Sequence, residues 1–471
     1  MELDAAILSR MQFALTVSFH ILFPSITIGL ATAIAIWEGL WLKTRNPVYF
    51  QLAKFWIKPF AVTFGMGVVS GIVLSFEFGT NFSGFSEKVG PVLGPLLAYE
   101  VLTAFFLEAG FLGVMLFGWQ RVSERMHFFA TVIVMLGTWL SAFWILSANS
   151  WMQTPAGYEL VDGHFQVRDW WEVIFNPSMP HRVAHMLLAA MLTASFIIIA
   201  VSAWHVLRDQ QAQWAKKSLS MALWGTLVLV PLQIFVGDGH GLNVKEYQPV
   251  KLAAIEGIWP EHEQPLPLVL FAWPNMEEER NDYEVAIPHL GSLILTHTLD
   301  GGAQGLTSVP PEDRPYVPIV FFSFRVMVGI GFLMLFVSLW ALWLRRKSRL
   351  YENKPFLTVA RWMWPVGSIA TLAGWYVTET GRQPWLVEGL VRTMEVASPL
   401  PAEKVLWSLS VFVVLYGTLL LAYLYFMRKL LRQGAPSLEA LESQLNAPEL
   451  PGYAKALVKQ VADKPTEGGA R

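Results

Sequence analysis

Apolar runs of membrane-spanning length recur along this chain, and no other feature constrains the fold as strongly. A helix needs about 20 mostly apolar residues to cross a bilayer. Nine such runs stand out, at 13–42, 55–78, 93–118, 127–149, 183–207, 219–237, 317–344, 359–379 and 404–428. Only 15% of the 471 residues are charged, where a soluble protein carries about 25%. The expected fold is therefore all-α, a polytopic membrane protein with about nine transmembrane helices in a lipid bilayer.

Lys and Arg set the expected orientation. They gather after runs one, three, five, seven and nine, for example at Arg121 and Arg125, and at Arg345, Arg346, Lys347 and Arg349. The alternate connections are sparse in them. The N-terminus is thus expected outside and the C-terminus in the cytoplasm, and no cleavable signal peptide is read at the start. The chain divides into helices one to six (1–237), a long outer connection (238–316), helices seven to nine (317–430) and a cytoplasmic tail (431–471), expected to be loosely ordered. The long connection is acidic (Glu277, Glu278, Glu279, Asp282, Glu284). A net charge of −2 makes nucleic acid an unsuitable partner. With no cysteine, any iron or cofactor must be held by His, Met, carboxylates or backbone.

Ionisable groups inside spans mark cofactor sites or proton routes. His20, His185, Met327 and Glu379 all fall in the outer half of the bilayer in this topology. Each alone has a plain reading as a packing residue; as a set they suit haem iron ligation. Glu100 and Glu108 lie in one apolar span, offset around the helix and about 12 Å apart along it. They read as a proton relay, with Ser141 on the next span able to join. Arg325 is two residues from Met327, placed either to neutralise a haem propionate or to snorkel to the interface. Glu379 and Arg382 share a helix face, and Pro384 should end that helix near Arg382.

These residues sit in recognisable motifs. The chain resembles subunit I of the cytochrome bd-type quinol oxidases from Arg10 to about Arg428. The likeness rests on Arg10-Met11-Gln12-Phe13-Ala14-Leu15 before His20, and on Gly94-Pro95-Leu96-Leu97-Ala98-Tyr99-Glu100 running to Glu108. It continues through Ser147–Pro155, Gly237-Asp238, Lys251-Leu252-Ala253-Ala254-Ile255-Glu256, Phe324–Gly329 and Gly381-Arg382-Gln383-Pro384-Trp385. The resemblance implies that His185 and Met327 ligate a low-spin haem b, with Arg325 beside it. It implies that His20 and Glu379 serve two high-spin haems, a haem b and a haem d, without fixing which serves which.

By the same resemblance, Glu100 sits by the dioxygen site, Glu108 and Ser141 line the proton route, and Lys251, Glu256 and Asp238 contact quinol. The short loop is similar to that of the cyanide-insensitive branch, some of whose members carry haem b in place of haem d. The implied partners are a subunit II, a small single-helix accessory subunit, dioxygen, and ubiquinol or menaquinol, in the bacterial cytoplasmic (inner) membrane. The implied activity is electrogenic quinol:oxygen oxidoreduction without a proton pump. Two other readings of the same buried carboxylates are a haem-free ion- or proton-coupled transporter and a haem b membrane anchor.

Overall fold

The computed structural model describes residues 4–437 and 439–440; most of the tail expected over 431–471 lies outside the described residues. The chain runs α1 (Ala5–Thr44), α2 (Pro47–Thr80), α3 (Ser83–Glu100), a π-helical turn (Val101–Phe105), α4 (Phe106–Phe117) and α5 (Glu124–Gln153). A hairpin of β1 (Tyr158–Val161) and β2 (His164–Val167) leads to α6 (Trp170–Ile174), α7 (Met179–Arg208) and α8 (Gln213–Tyr247). The long connection then holds α9 (Pro249–Glu256), β3 (His262–Glu263), β4 (Leu268–Asn275), β5 (Arg280–Ile287), α10 (Leu290–Thr296) and β6 (Ala303–Gln304). It ends at α11 (Val317–Arg346), followed by α12 (Lys354–Trp362), α13 (Val366–Thr380), β7 (Trp385–Val387), β8 (Val391–Arg392) and α14 (Ala402–Gln433). The strands form only two-stranded antiparallel pairs, β1–β2, β3–β6, β4–β5 and β7–β8.

Among the described residues, eight helices are long and apolar enough to cross a membrane. The eighth run, 359–379, straddles a break between α12 and α13. Pro365 has no amide hydrogen to donate and disfavours the helical conformation at Trp364, so the 15-residue α13 starts afresh at Val366. Elsewhere the helices outrun the apolar stretches that reveal them. Helix α8 passes through Asp238 and on to Tyr247, because hydropathy falls where the lipid ends while a backbone hydrogen-bond ladder can continue into water.

Helix α7 is the internal strut, packed by α1, α5, α8, α12 and α13. Two glycines let backbones touch it. A Cβ at Gly29 of α1 would stand 2.5 Å from the Ala190 carbonyl oxygen and from Ala194 Cβ. A Cβ at Gly367 of α13 would stand 2.5 Å from Thr193 Cα. Small residues at such crossings are the usual means by which membrane helices approach closely, since lipid supplies no hydrophobic force between them. Polar ties supplement the packing. Glu38 of α1 is fully buried and accepts from Thr131 Oγ1 at 2.7 Å, with His127 Nδ1 2.6 Å away, joining α1 to α5.

Replacing Gly29 by Val is expected to destabilise the assembled protein by about 1–3 kcal/mol, the usual cost of overpacking. Thermal unfolding of the detergent-solubilised complex measures this; an unchanged midpoint would mean that α1 and α7 do not cross there.

Candidate functional site

At the end of the bundle that carries the long connection, α5, α9, α13 and the β7–β8 hairpin converge on one buried polar network. Glu379, in the last turn of α13, pairs through Oε2 with Arg382. Its Oε1 accepts from Asn149 Nδ2 at 2.9 Å and from Gln153 Nε2 at 3.5 Å, both on α5. Gln153 Oε1 accepts in turn from Lys251 Nζ and, at 2.9 Å, from Gln248 Nε2. Gln248 also accepts from Lys251 Nζ at 2.9 Å and donates to Glu388 Oε2 at 2.8 Å. A single chain of hydrogen bonds therefore runs from Arg382 to Glu388 through Lys251. Its geometry depends on Gly381, where a Cβ would fall 2.9 Å from Lys251 Cγ. Beside it lies a cavity of about 130 Å³ lined by Lys251, Gly381, Arg382, Gln383, Trp385 and Glu388.

Lys251 is 3% exposed. Burial, and then the positive charge of Arg182, hold its ammonium well below the ordinary value of 10.5, with Glu388 opposing. Glu256, at the other end of α9, is also buried, and burial raises its carboxyl above the ordinary 4.5, with Arg325 opposing.

The histidine and methionine candidates share another feature: each lies against a glycine of a neighbouring helix. His20 of α1 has Nδ1 3.0 Å from Ser70 Oγ, and a Cβ on Gly71 of α2 would lie 3.1 Å from its ring. His185 of α7 faces Gly237 of α8, where a Cβ would lie 3.2 Å from the ring. Met327 Sδ of α11 would be 2.9 Å from a Cβ on Gly374 of α13. His185 Nδ1, Gln233 Oε1, His240 Nε2 and Arg182 Nε are buried without a hydrogen-bond partner. Such orphans are costly unless another group satisfies them.

Among the described residues no three His, Asp or Glu side chains stand together as a cage for a metal ion. A haem needs no cage, since its porphyrin supplies the equatorial nitrogens and the protein only axial ligands. His20, with one ring nitrogen oriented by Ser70 and the other left over, has the arrangement of a metal-binding histidine. The unpartnered nitrogens on α7 and α8 add further ligand and propionate-binding capacity. The residues present fit haem.

Glu100 and Glu108 both turn towards α5. Ser141 Oγ donates to Glu100 Oε1 at 2.7 Å. Glu108 packs on Gly137, where a Cβ would lie 2.6 Å from its Cγ. An α-helix leaves positions eight apart out of phase by about 80°, which is the offset expected from sequence. The π-helical turn at Val101–Phe105 takes up that offset, so both carboxylates meet one face of α5, a single turn apart. Such turns recur at functional sites.

The structure does not bring every candidate together. Arg325 donates to the backbone carbonyls of Val269 (2.6 and 3.2 Å), Ile255 (2.7 Å) and Phe321 (3.1 Å). Asp238 lies 3.9 Å from His297 and enters none of the hydrogen bonds around Lys251. Glu256 Oε2 has no hydrogen-bond partner.

Sequence reasoning passed over Arg182, His240, Gln248 and Glu388, and also Glu77, which is 2% exposed and accepts from Thr16 Oγ1 at 2.7 Å. Arg182 and His240 stand just outside the apolar runs, where charge is unremarkable. Glu77 lies within the second run, and the cost of an intramembrane carboxylate was the signal that could have found it.

Fold and site define a class: a polytopic helical membrane protein that holds a cofactor between helices and offers a polar pocket at one face. The sequence matches the family described as cytochrome bd terminal oxidase subunit I over residues 8–435. It is 34% identical over 506 aligned residues to cytochrome bd-II ubiquinol oxidase subunit 1 of Escherichia coli (strain K12), covering 93% of this chain and 98% of that protein. It is 36% identical over 442 residues to cytochrome bd ubiquinol oxidase subunit 1 of Bacillus subtilis (strain 168), covering 91% and 94%. The solved bd oxidase of Geobacillus thermodenitrificans superposes with a TM-score of 0.84 at 31% identity, over 92% of this chain and 99% of that one. The chain belongs to the cytochrome bd terminal oxidase subunit I family. It is thus a multi-pass membrane subunit of a haem-containing quinol:oxygen oxidoreductase that works with a subunit II. The comparisons lend no support to a transporter or a haem anchor.

Lys251 gives the site a pH signature. Its folded-state value is depressed, so between that value and 10.5 the unfolded chain binds more protons and stability rises with pH. The thermal midpoint of the native oxidase is therefore expected to rise relative to that of Lys251→Met as pH approaches 10.5. Parallel midpoints in paired alkaline scans would show that the lysine is not desolvated.

Proposed function

We propose that this chain oxidises quinol at the membrane face bearing the long connection, taken as the outer face of the bacterial cytoplasmic membrane. The residues that would hold the electron-accepting haems, His20, His185, Met327 and Glu379, are expected in that same half. The observation that carries the reading is the hydrogen-bonded chain from Lys251 through Gln153 to Glu379 and Arg382. It links the lysine assigned to quinol with the carboxylate assigned to a haem in one side-chain network. Ubiquinol and menaquinol both fit this chemistry.

His185 and Met327 would hold a low-spin haem b. His20 and Glu379 would serve the two high-spin haems, one a haem b and the other a haem d or a haem b in its place. When bound, these groups would supply one-electron transfer and dioxygen reduction. The protein residues do the rest. Lys251 and Glu256 line the approach of the quinol head, with Asp238 further out. Glu388, one glutamine from Lys251 and on the wall of the cavity, stands ready to receive a hydroxyl proton. Arg382 and Arg182 supply positive charge for carboxylate groups on the cofactors. Arg325 is committed to backbone carbonyls and acts chiefly by fixing the long connection to α11.

Protons released from quinol stay outside, while those used in making water arrive from the cytoplasm by way of Glu108, Glu100 and Ser141. Each electron is then accompanied by about one charge crossing most of the membrane, worth roughly 2.3 kcal/mol per 100 mV, with no pump. A small single-helix accessory subunit completes the proposed complex beside subunit II.

Two variants test the assignment. Met327→Leu is expected to abolish the low-spin haem b band in a dithionite-reduced minus air-oxidised spectrum; an unchanged band overturns that ligand. Glu108→Gln is expected to slow oxygen uptake with added quinol by about 100-fold, a typical contribution of positioned proton transfer, with haem content near normal. Loss of haem instead would make Glu108 a structural or ligand residue.

A further inference from the structure

The β4–β5 hairpin lies alongside the first turns of α11, and its contacts fix its depth. Near the tip, Glu279 pairs with Arg314 at 2.6 Å, three residues before α11 begins. Midway, the rings of Trp273 and Phe271 pack on Phe322 at centroid distances of 5.6 and 6.1 Å. At the base, the carbonyl of Val269 accepts from the Arg325 guanidinium at 2.6 Å. Arg325 is eight residues into α11, about 12 Å along the axis. The headgroup zone on each side of a bilayer is only about 5–8 Å thick. The hairpin therefore descends with its base at hydrocarbon level and its tip in water.

The side chains follow that gradient. Leu270 and Ile287, near the base, are 50 and 41% exposed, and Val285, paired with Phe271, is 56% exposed. Trp273 and Tyr283, at mid-height, are 57 and 85% exposed, and Trp and Tyr favour the membrane–water interface. At the tip Glu278 and Arg280 pair with each other, and Arg280 reaches back to Asp282, which stands opposite Trp273. Glu284, the other carboxylate at mid-height, accepts from Asn281 Nδ2 at 2.8 Å. The apolar surface continues onto α11 at Ile319, nearer the water than Phe322, and at Val326, beside the hairpin base, each 45% exposed on a membrane-spanning helix.

We propose that the β4–β5 hairpin is a membrane-inserted element, its base dipped among the acyl chains of the leaflet on that side. The occupant of its exposed apolar face is lipid, because that face is continuous with the lipid-facing side of α11. An intramembrane arginine must find buried partners, and Arg325 finds them in the hairpin base and the end of α9. The guanidinium thus both anchors the hairpin at depth and covers a carbonyl on its edge, which lipid cannot do. The inference stands on the hairpin contacts and is independent of which quinol or haems the protein uses.

The chain has no cysteine of its own, so nitroxide labels can be placed singly in the intact two-subunit oxidase in lipid nanodiscs, with the unsubstituted complex as background. Labels at Val285→Cys and Glu278→Cys are compared by power-saturation EPR with dioxygen and with a water-soluble nickel chelate. The expected result is an inversion: dioxygen collisions dominate at position 285 and nickel collisions at 278. Nickel dominance at both positions would put the hairpin in water and overturn the proposal. Shielding of position 285 from both reagents would show that protein covers the face, and would overturn it equally. Should Val285→Cys fail to assemble, Leu270→Cys reads the same face from the other strand.

Discussion

Charge buried in an apolar bundle is the constraint on which the rest of this structure depends. A lysine and two arginines lie at 3–5% exposure near the ends of α7, α9 and α13. An isolated charge in such surroundings costs several kcal/mol, so each must be neutralised or hydrogen-bonded. Glu379 answers Arg382 directly, and two glutamines carry the connection to Lys251 and Glu388. Arg182 is left with an unpartnered Nε. Three basic side chains facing two carboxylates leave a formal excess of positive charge, which suits the carboxylate groups that haem brings. The network is thus both a packing solution and a site prepared for anions.

Much of this was legible in the sequence, and for physical reasons. Apolar runs report membrane spans because lipid tolerates little else, and the Glu379–Arg382 pair follows from helical periodicity together with the proline that ends the helix. The partners across space were not legible. Gln153 and Asn149 stand in a motif whose likeness to the family is plain, yet nothing in one sequence says that they reach Glu379. Hydropathy also stopped short of the end of α8 and hid the break between α12 and α13, since it measures lipid contact and not the hydrogen-bond ladder. The π-helical turn after Glu100 left no mark in composition at all; its effect appears only in the phase of Glu108.

Glycine carries a signal that composition obscures. Gly71, Gly237 and Gly374 face His20, His185 and Met327, and Gly137 faces Glu108. Each lies on a different helix from the side chain it faces. A Cβ at any of them would crowd a candidate functional side chain, so the absence of a side chain on one helix fixes the position of a large one on the next. Among 35 glycines these four cannot be picked out beforehand, because the rule that selects them is tertiary.

Helix α5 joins the two halves of the chemistry. Gly137 and Ser141 meet Glu108 and Glu100, the carboxylates of the proposed proton route; Asn149 and Gln153 meet Glu379 in the proposed quinol-facing network. Sixteen residues separate the first from the last, about 24 Å along one continuous helix. Electron entry and proton entry must be kept apart if their separation is to charge the membrane, yet both must be held in register with the same buried cofactors. A flexible connection would satisfy the first requirement and fail the second. An unbroken helix meets both, because its length sets the separation and its stiffness keeps the two contact sets at constant spacing.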